Sequence, residues 1–142
     1  MRTVQHLLDA KPADVHSIGP DAPVIDALRL MSERHIGAVV VCQERRLAGI
    51  VSERDYARKV VLHGRASSDT PVRDIMTSDV VTVTPAATVA HCMQLVTDRR
   101  IRHLPVVVDG DVVGIVSIGD LVRAVIEDQQ VELDQLQRYI QQ

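Results

Sequence analysis

A shift of 65 positions lays residues 18–61 over residues 83–126 without a gap, and 14 of the 44 aligned positions are identical. The identities run along the whole overlap: Pro20/Pro85, Ala22/Ala87, Val24/Val89, Leu30/Leu95, Arg34/Arg99, Ile36/Ile101 and Val41/Val106. A dense block follows at Gly49/Gly114, Ile50/Ile115, Val51/Val116, Ser52/Ser117, Asp55/Asp120, Arg58/Arg123 and Val60/Val125. Further upstream, "VQHLL" resembles "VRDIM", with three extra residues in the first copy. A unit written twice in 142 residues constrains the fold more than any composition does. Neither copy is large enough to bury a good core alone, so the two are expected to cover each other about a pseudo-two-fold axis.

Each copy reads β-α-β-β-α. A short strand is expected at residues 15–18 and 80–83. A helix follows, with Pro23 near its first turn, where a missing N–H costs nothing. Val24, Ala27, Leu28 and Met31 in the first copy, and Val89, Cys92, Met93 and Val96 in the second, fall at i, i+3, i+4, i+7 and make one buried stripe. Strands are expected at residues 38–42 and 104–108, tight turns at "QERR" and "DGD", strands at 47–51 and 112–116, and helices starting at Ser52 and Ser117. The fold class is α/β (α+β). The polar stretch 63–71, "HGRASSDTP", reads as the linker. The last stretch, "EDQQVELDQLQRYIQQ", has no Gly or Pro. With Val125, its Leu133, Leu136 and Ile140 keep helical spacing, so it continues the last helix. The organisation expected is residues 1–66, 67–130 and a helical extension 131–142.

A chain with no Phe or Trp and only two Tyr must build its core from aliphatic residues, and it lacks the stacking platforms of single-strand nucleic-acid binders. A net charge of −3 gives no global field for DNA or an anionic membrane. The longest apolar run, "AVVVC" at 38–42, is far short of the roughly 20 residues of a membrane span. The N-terminal stretch carries no secretory signal pattern. Cys42 and Cys92 make no disulfide framework and read as core residues, which points to a reducing cytoplasm. The six His show no metal-ligand spacing with Cys or carboxylates.

The question raised by the repeat is why Gly, Ser and Asp persist in "GIVSERD" and "GIVSIGD". One answer is structural: Ser-x-x-Asp at a helix start resembles a capping box, worth roughly 1 kcal/mol. The other is functional. A strand that feeds straight into a helix brings N–H groups and a carboxylate together at a cleft. A helix N-terminus accepts phosphate, and a fixed carboxylate accepts from both hydroxyls of a ribose diol, as in dinucleotide-binding folds.

These motifs resemble the Gly-h-x-Ser/Thr-x-x-Asp signature of the cystathionine-β-synthase (CBS) domain, two of which in tandem form a Bateman module. The resemblance extends to "VRDIMTSDVVTV", "IRHLPVV" and the β-α-β-β-α order, and so covers nearly the whole chain. It implies adenine-nucleotide binding (AMP, ADP, ATP or NAD(H)) in clefts between the paired domains. Asp55 and Asp120 would hold ribose hydroxyls, Ser52 and Ser117 would sit near ribose or phosphate, and backbone at 16–18 and 81–83 would meet the adenine edge. The resemblance further implies contacts from Ser17, Ala38, Ile50 and Arg54, and from Val81, Arg102, His103, Leu104, Pro105 and Gly119. Glu53-Arg54 stands where the second copy has Ile118-Gly119, and Gly37-Ala38 where it has Arg102-His103, so the two clefts are expected to be unlike. Arg58 and Lys59 are further phosphate candidates, whereas Arg99 and Arg100 read as a solvated helix end. The resulting expectation is a non-catalytic cytoplasmic sensor, a homodimer paired partly through its last helix, acting on an unidentified protein in trans. The rival is a constitutive dimerisation or assembly scaffold whose Ser and Asp only cap helices. An enzyme is the weakest reading, since no acid/base pair or nucleophile stands out.

Overall fold

The computed structural model describes residues 2–11 and 15–141. The chain runs α1 (Val4–Asp9), β1 (Ser17–Ile18), α2 (Val24–Arg34), β2 (Ala38–Gln43), β3 (Arg46–Ser52), α3 (Glu53–Tyr56), α4 (Val89–Arg99), β4 (His103–Val108), β5 (Asp111–Ser117) and α5 (Ile118–Gln141). A π-helical turn at Ala57–Val61 prolongs α3, and a 3-10 turn covers Val72–Asp74. The duplicated order is the expected one. Two additions, α1 and the 3-10 turn, stand at matching places ahead of the two copies.

The helical stripes are buried as their spacing requires: Val24, Ala27 and Met31 on α2, and Val89, Cys92 and Val96 on α4. Both helices stop at a residue in the left-handed region, His35 and Arg100, each donating its N–H back into the last turn. The hairpins β2–β3 and β4–β5 turn through Glu44-Arg45 and Asp109-Gly110, all four with positive φ. That is the hairpin turn whose twist matches the flanking strands.

The five strands lie in the order β1-β2-β3-β5-β4. β1 pairs parallel with β2, both hairpins are antiparallel, and one pairing, Arg46 with Asp111, joins the halves. The expected strand at 80–83 shrinks to a single bridge, Val83 to Val106, and that at 15–18 to Ser17–Ile18. The backbone just before each bridge is spent on lining a cleft instead.

Each half keeps its own core, and the mutual cover takes the form of exchanged segments. Val4 and Leu7 of α1 pack with Val89, Cys92, Leu104, Val116 and Leu121 of the second copy. Val72 and Ile75, beside the 3-10 turn, pack with Val24, Met31, Val39 and Val51 of the first. Backbone bonds fix both crossings: the Val4 N–H donates to Ala87 O at 2.9 Å, and the Val72 N–H to Ala22 O at 2.8 Å. Thus packing crosses the 66/67 boundary that divides the copies along the sequence. α5 passes without a break through residue 130, and its last buried residue is Ala124.

Candidate functional site

Both Ser-x-x-Asp motifs are reciprocal caps. The Ser52 N–H donates to Asp55 Oδ2 at 2.9 Å, and the Asp55 N–H donates back to Ser52 Oγ at 3.3 Å. In the second copy the corresponding distances are 2.9 and 3.2 Å, for Ser117 and Asp120. The structural answer to the repeated Ser and Asp is therefore correct, but incomplete. The cap uses Asp55 Oδ2, while among the described residues the cation nearest Oδ1 is Lys59 Nζ, at 3.4 Å. The repeated Gly has its own reason. A Cβ on Gly49 would lie 2.7 Å from Thr77 O, and one on Gly114 would lie 2.6 Å from Leu8 Cδ2. The exchanged segments cross the strands at these points and leave no room for a side chain.

The larger consequence is a cleft of about 320 Å³ whose walls come from both copies. One wall is Ile50, Ser52, Glu53, Arg54, Asp55 and Arg58, at the end of β3 and along α3. The other is Thr77, Asp79, Val80, Val81 and Arg100–His103, with Gly37 at the floor. Gly37 is where the His103 ring packs: a Cβ there would lie 3.8 Å from Cε1 and Nε2. Burial pushes the His103 ring down from the usual imidazole value, with Arg102 and Lys11 adding to the effect and Asp120 opposing it. No carboxylate lies within 4.0 Å of the Arg54, Arg58, Arg100 or Arg102 guanidinium among the described residues. The cleft thus combines an aliphatic strip (Ile50, Val80, Val81, Ile101), a carboxylate and hydroxyl at a helix start, and uncommitted guanidiniums on both walls.

The second copy builds something different. Lys11 Nζ lies 2.5 Å from Asp120 Oδ2 and donates to Ile115 O at 2.9 Å. Burial raises the Asp120 carboxyl, but the Lys11 ammonium and the Ser117 N–H outweigh it and hold the group below the ordinary carboxylate value. The space around Asp120 is a small hollow of about 90 Å³, shared with Arg2, His6, Lys11 and Arg123. The strand-edge counterparts Val15, His16, Ile36 and Ile115 line a separate groove of about 440 Å³.

Of the residues singled out in the sequence, Ser52, Asp55, Arg54, Ile50, Val81, Arg102 and His103 come together in one cleft. The others do not. The Leu104 side chain is fully buried in the second core, Pro105 is buried inside β4, and neither lines the cleft. Ala38 is buried opposite Ser52 across the hairpin. Ser17 lines another groove, with Cys42, Arg45 and Asp111. Ser117 and Gly119 stay at the start of α5, where a Cβ on Gly119 would meet only Ser117 Oγ, at 3.6 Å. Arg100 is the exposed end of its helix, as read from the sequence, and as a left-handed cap it also lies at the rim of the cleft. Lys11, Thr77 and Asp79 were missed. A single Lys before a Pro carries no pattern, and only the exchange of segments brings the three to the clefts.

Burial pushes the Cys42 and Cys92 thiols up, away from nucleophilic character. Among the described residues no cluster of His, Cys, Asp and Glu is arranged to hold a metal, and no helix is long and apolar enough to cross a membrane.

Comparison with known proteins agrees with this architecture. The CBS domain family model matches twice, at residues 9–62 and 72–127. The mitochondrial CBS domain-containing protein CBSX3 of Arabidopsis thaliana is 48% identical over 126 residues, covering 85% of this chain and 61% of its own. The chain thus spans about three fifths of that relative's length. The CBS domain-containing protein YhcV of Bacillus subtilis is 32% identical, over 80% of each chain. A solved CBS-domain structure from Burkholderia ambifaria, of a protein provisionally assigned to signal transduction, superposes with a TM-score of 0.86. It is 47% identical and covers 90% of this chain and 96% of its own. Two family matches that coincide with the two structural repeats make the assignment: the chain belongs to the CBS-domain family, as a tandem pair of CBS domains.

Proposed function

We propose that this CBS pair is a non-catalytic regulatory module that binds an adenine nucleotide (AMP, ADP, ATP or NAD(H)) between its repeats and signals to another protein in trans. The observation that carries the reading is the cross-repeat cleft around Asp55. Asp55 accepts ribose hydroxyls through the oxygen its cap leaves over. Aliphatic Ile50, Val80 and Val81 sandwich the base, and the four guanidiniums take phosphate oxygens in bidentate pairs. Because both walls contribute, a ligand that spans them stabilises one relative position of the repeats, which is how binding becomes a signal. The signal-transduction assignment of the Burkholderia relative supports the regulatory part. Two free cysteines suit a reducing compartment such as the cytoplasm.

The proposed assembly is a homodimer. Exposed Val122 and Ile126, followed by Leu133, Leu136 and Ile140, form an apolar line down α5 that needs a cover, and two-fold pairing is the commonest one. A second reading, a scaffold without ligand, is favoured by the fact that both Ser-Asp pairs cap their helices in full.

Calorimetry with AMP, ATP and NAD separates the two. A hydrogen bond to a charged group contributes about 1.5–3 kcal/mol, so Asp55→Ala is expected to weaken nucleotide binding roughly 10- to 150-fold. No heat from any of the three nucleotides, or an affinity unchanged in Asp55→Ala, leaves the scaffold as the reading.

A further inference from the structure

The two clefts start from the same repeated motif, yet one is continuous and the other is divided. In the first, the strip that faces a base (Ile50, Val81) and the carboxylate that faces a ribose (Asp55) line a single space. In the second, the matching strip (Ile115, His16) and the matching carboxylate (Asp120) line two separate spaces. Among the described residues, Lys11 alone lines both. Its ammonium reaches Ile115 O on one side, at 2.9 Å, and Asp120 Oδ2 on the other, at 2.5 Å.

We propose that Lys11 is an internal plug that makes the two clefts unequal: it stands between the Asp120 carboxylate and the strip that would face a base, so each chain seats one nucleotide, in the Asp55 cleft. The proposal rests on the nucleotide reading above. Lys11 bridges the two halves of the space, so a nucleoside cannot lie across it without displacing the ammonium. The Asp120 side chain keeps only 11% of its exposure, so its charge is poorly solvated and the Lys11 contact is worth more there than a surface pair. Among the described residues the first cleft has no such plug. Matching "VQHLL" to "VRDIM" places Asp79 where Lys11 stands, and a carboxylate cannot satisfy another carboxylate. The nearest cation there, Lys59, is 3.4 Å from Asp55 Oδ1, but it comes from the same helical segment and does not line the cleft, so it divides nothing. Lys11 therefore sets which copy of a duplicated motif is available to ligand, and the inequality arises in the segment ahead of the repeat rather than in the motif.

The test is stoichiometry by calorimetry and equilibrium dialysis, with ATP and AMP as probes, on the full chain. The wild type is expected to bind one nucleotide per chain. Lys11→Ala is expected to bind a second, through an affinity gain of roughly 10- to 100-fold at the Asp120 cleft. Asp120→Ala in the Lys11→Ala background is expected to abolish the second site, while Asp55→Ala is expected to leave it. Lys11→Met keeps the aliphatic stem, and so tests the charge even where Lys11→Ala unfolds; circular dichroism monitors both. Two equal sites in the wild type, or one site in a folded Lys11→Met variant, overturn the plug while leaving the nucleotide reading intact. No binding by any variant overturns the nucleotide reading itself.

Discussion

At the scale of single residues, the repeated letters of the sequence carry separate burdens. Gly49 and Gly114 make room for a crossing segment, Ser52 and Ser117 close a helix start, and Asp55 and Asp120 share a cap with a cleft. The motif's capping half was legible because a cap is local. What surrounds each carboxylate was only partly legible: Arg102 was singled out, but Lys11, Thr77 and Asp79 arrive from elsewhere in the chain with no pattern of their own. His103 shows how such surroundings become measurable. Its imidazole is pressed against Gly37 and held below the usual value of 6.5, first by burial and then by Arg102. A group whose folded value is depressed takes up protons more readily when unfolded, so its contribution is complete above pH 6.5 and is lost as pH falls through the folded value. Urea unfolding midpoints are therefore expected to drop between neutral pH and pH 5, with a shallower drop in His103→Gln. An equal drop in both proteins removes His103 as the source.

Among the elements, those with a long stripe were plain in the sequence: α2, α4, both hairpins and α5 stand within a residue or two of expectation. Short ones were not. α1 has only six residues, and its Val4, Leu7 and Leu8 are too few to make a period. The strand at 80–83 reads as a strand by composition, yet gives up its ladder to face the cleft. α5 raises the opposite problem, since it forms where nothing covers it. Every residue from 129 to 141 is exposed. An isolated helix of that length is marginal in water. Val122, Ile126, Gln129, Leu133, Leu136 and Ile140 follow spacings of four and three, the seam of a two-stranded coiled coil. A parallel, in-register pair sets Gln129 against its own copy, where the two amides hydrogen-bond. If the proposed homodimer uses this seam, a chain ending at Asp128 should dissociate at least tenfold more readily, as read by light scattering across a dilution series. The same mass and dissociation constant in the truncated chain would place the interface elsewhere.

For the whole molecule, the exchange of segments decides how the two CBS domains depend on each other. The first 66 residues hold one full repeat, but they also hold α1, which belongs to the other core. The second part holds Val72 and Ile75, which belong to the first. Each domain is thus completed by chain from its neighbour's side of the linker, and the Asp55 cleft lies where one of those crossings passes. A ligand that steadies this crossing steadies both domains. The same argument predicts that the pair unfolds as one unit. Val4 and Val72 are fully buried in opposite cores, and truncating either to Ala is expected to cost about 1–3 kcal/mol. Loss of either core releases a segment that the other needs, so Val4→Ala should lower the unfolding midpoint of the first domain as well as the second. Tyr56 packs on the first core only, so in a Tyr139→Phe background tyrosine fluorescence reports that half, while far-ultraviolet dichroism reports the whole. In Val4→Ala the two signals are expected to move together to a lower denaturant concentration. A Tyr56 transition that stays at its wild-type midpoint while the dichroism shifts would show that the two domains, despite their exchanged segments, melt independently.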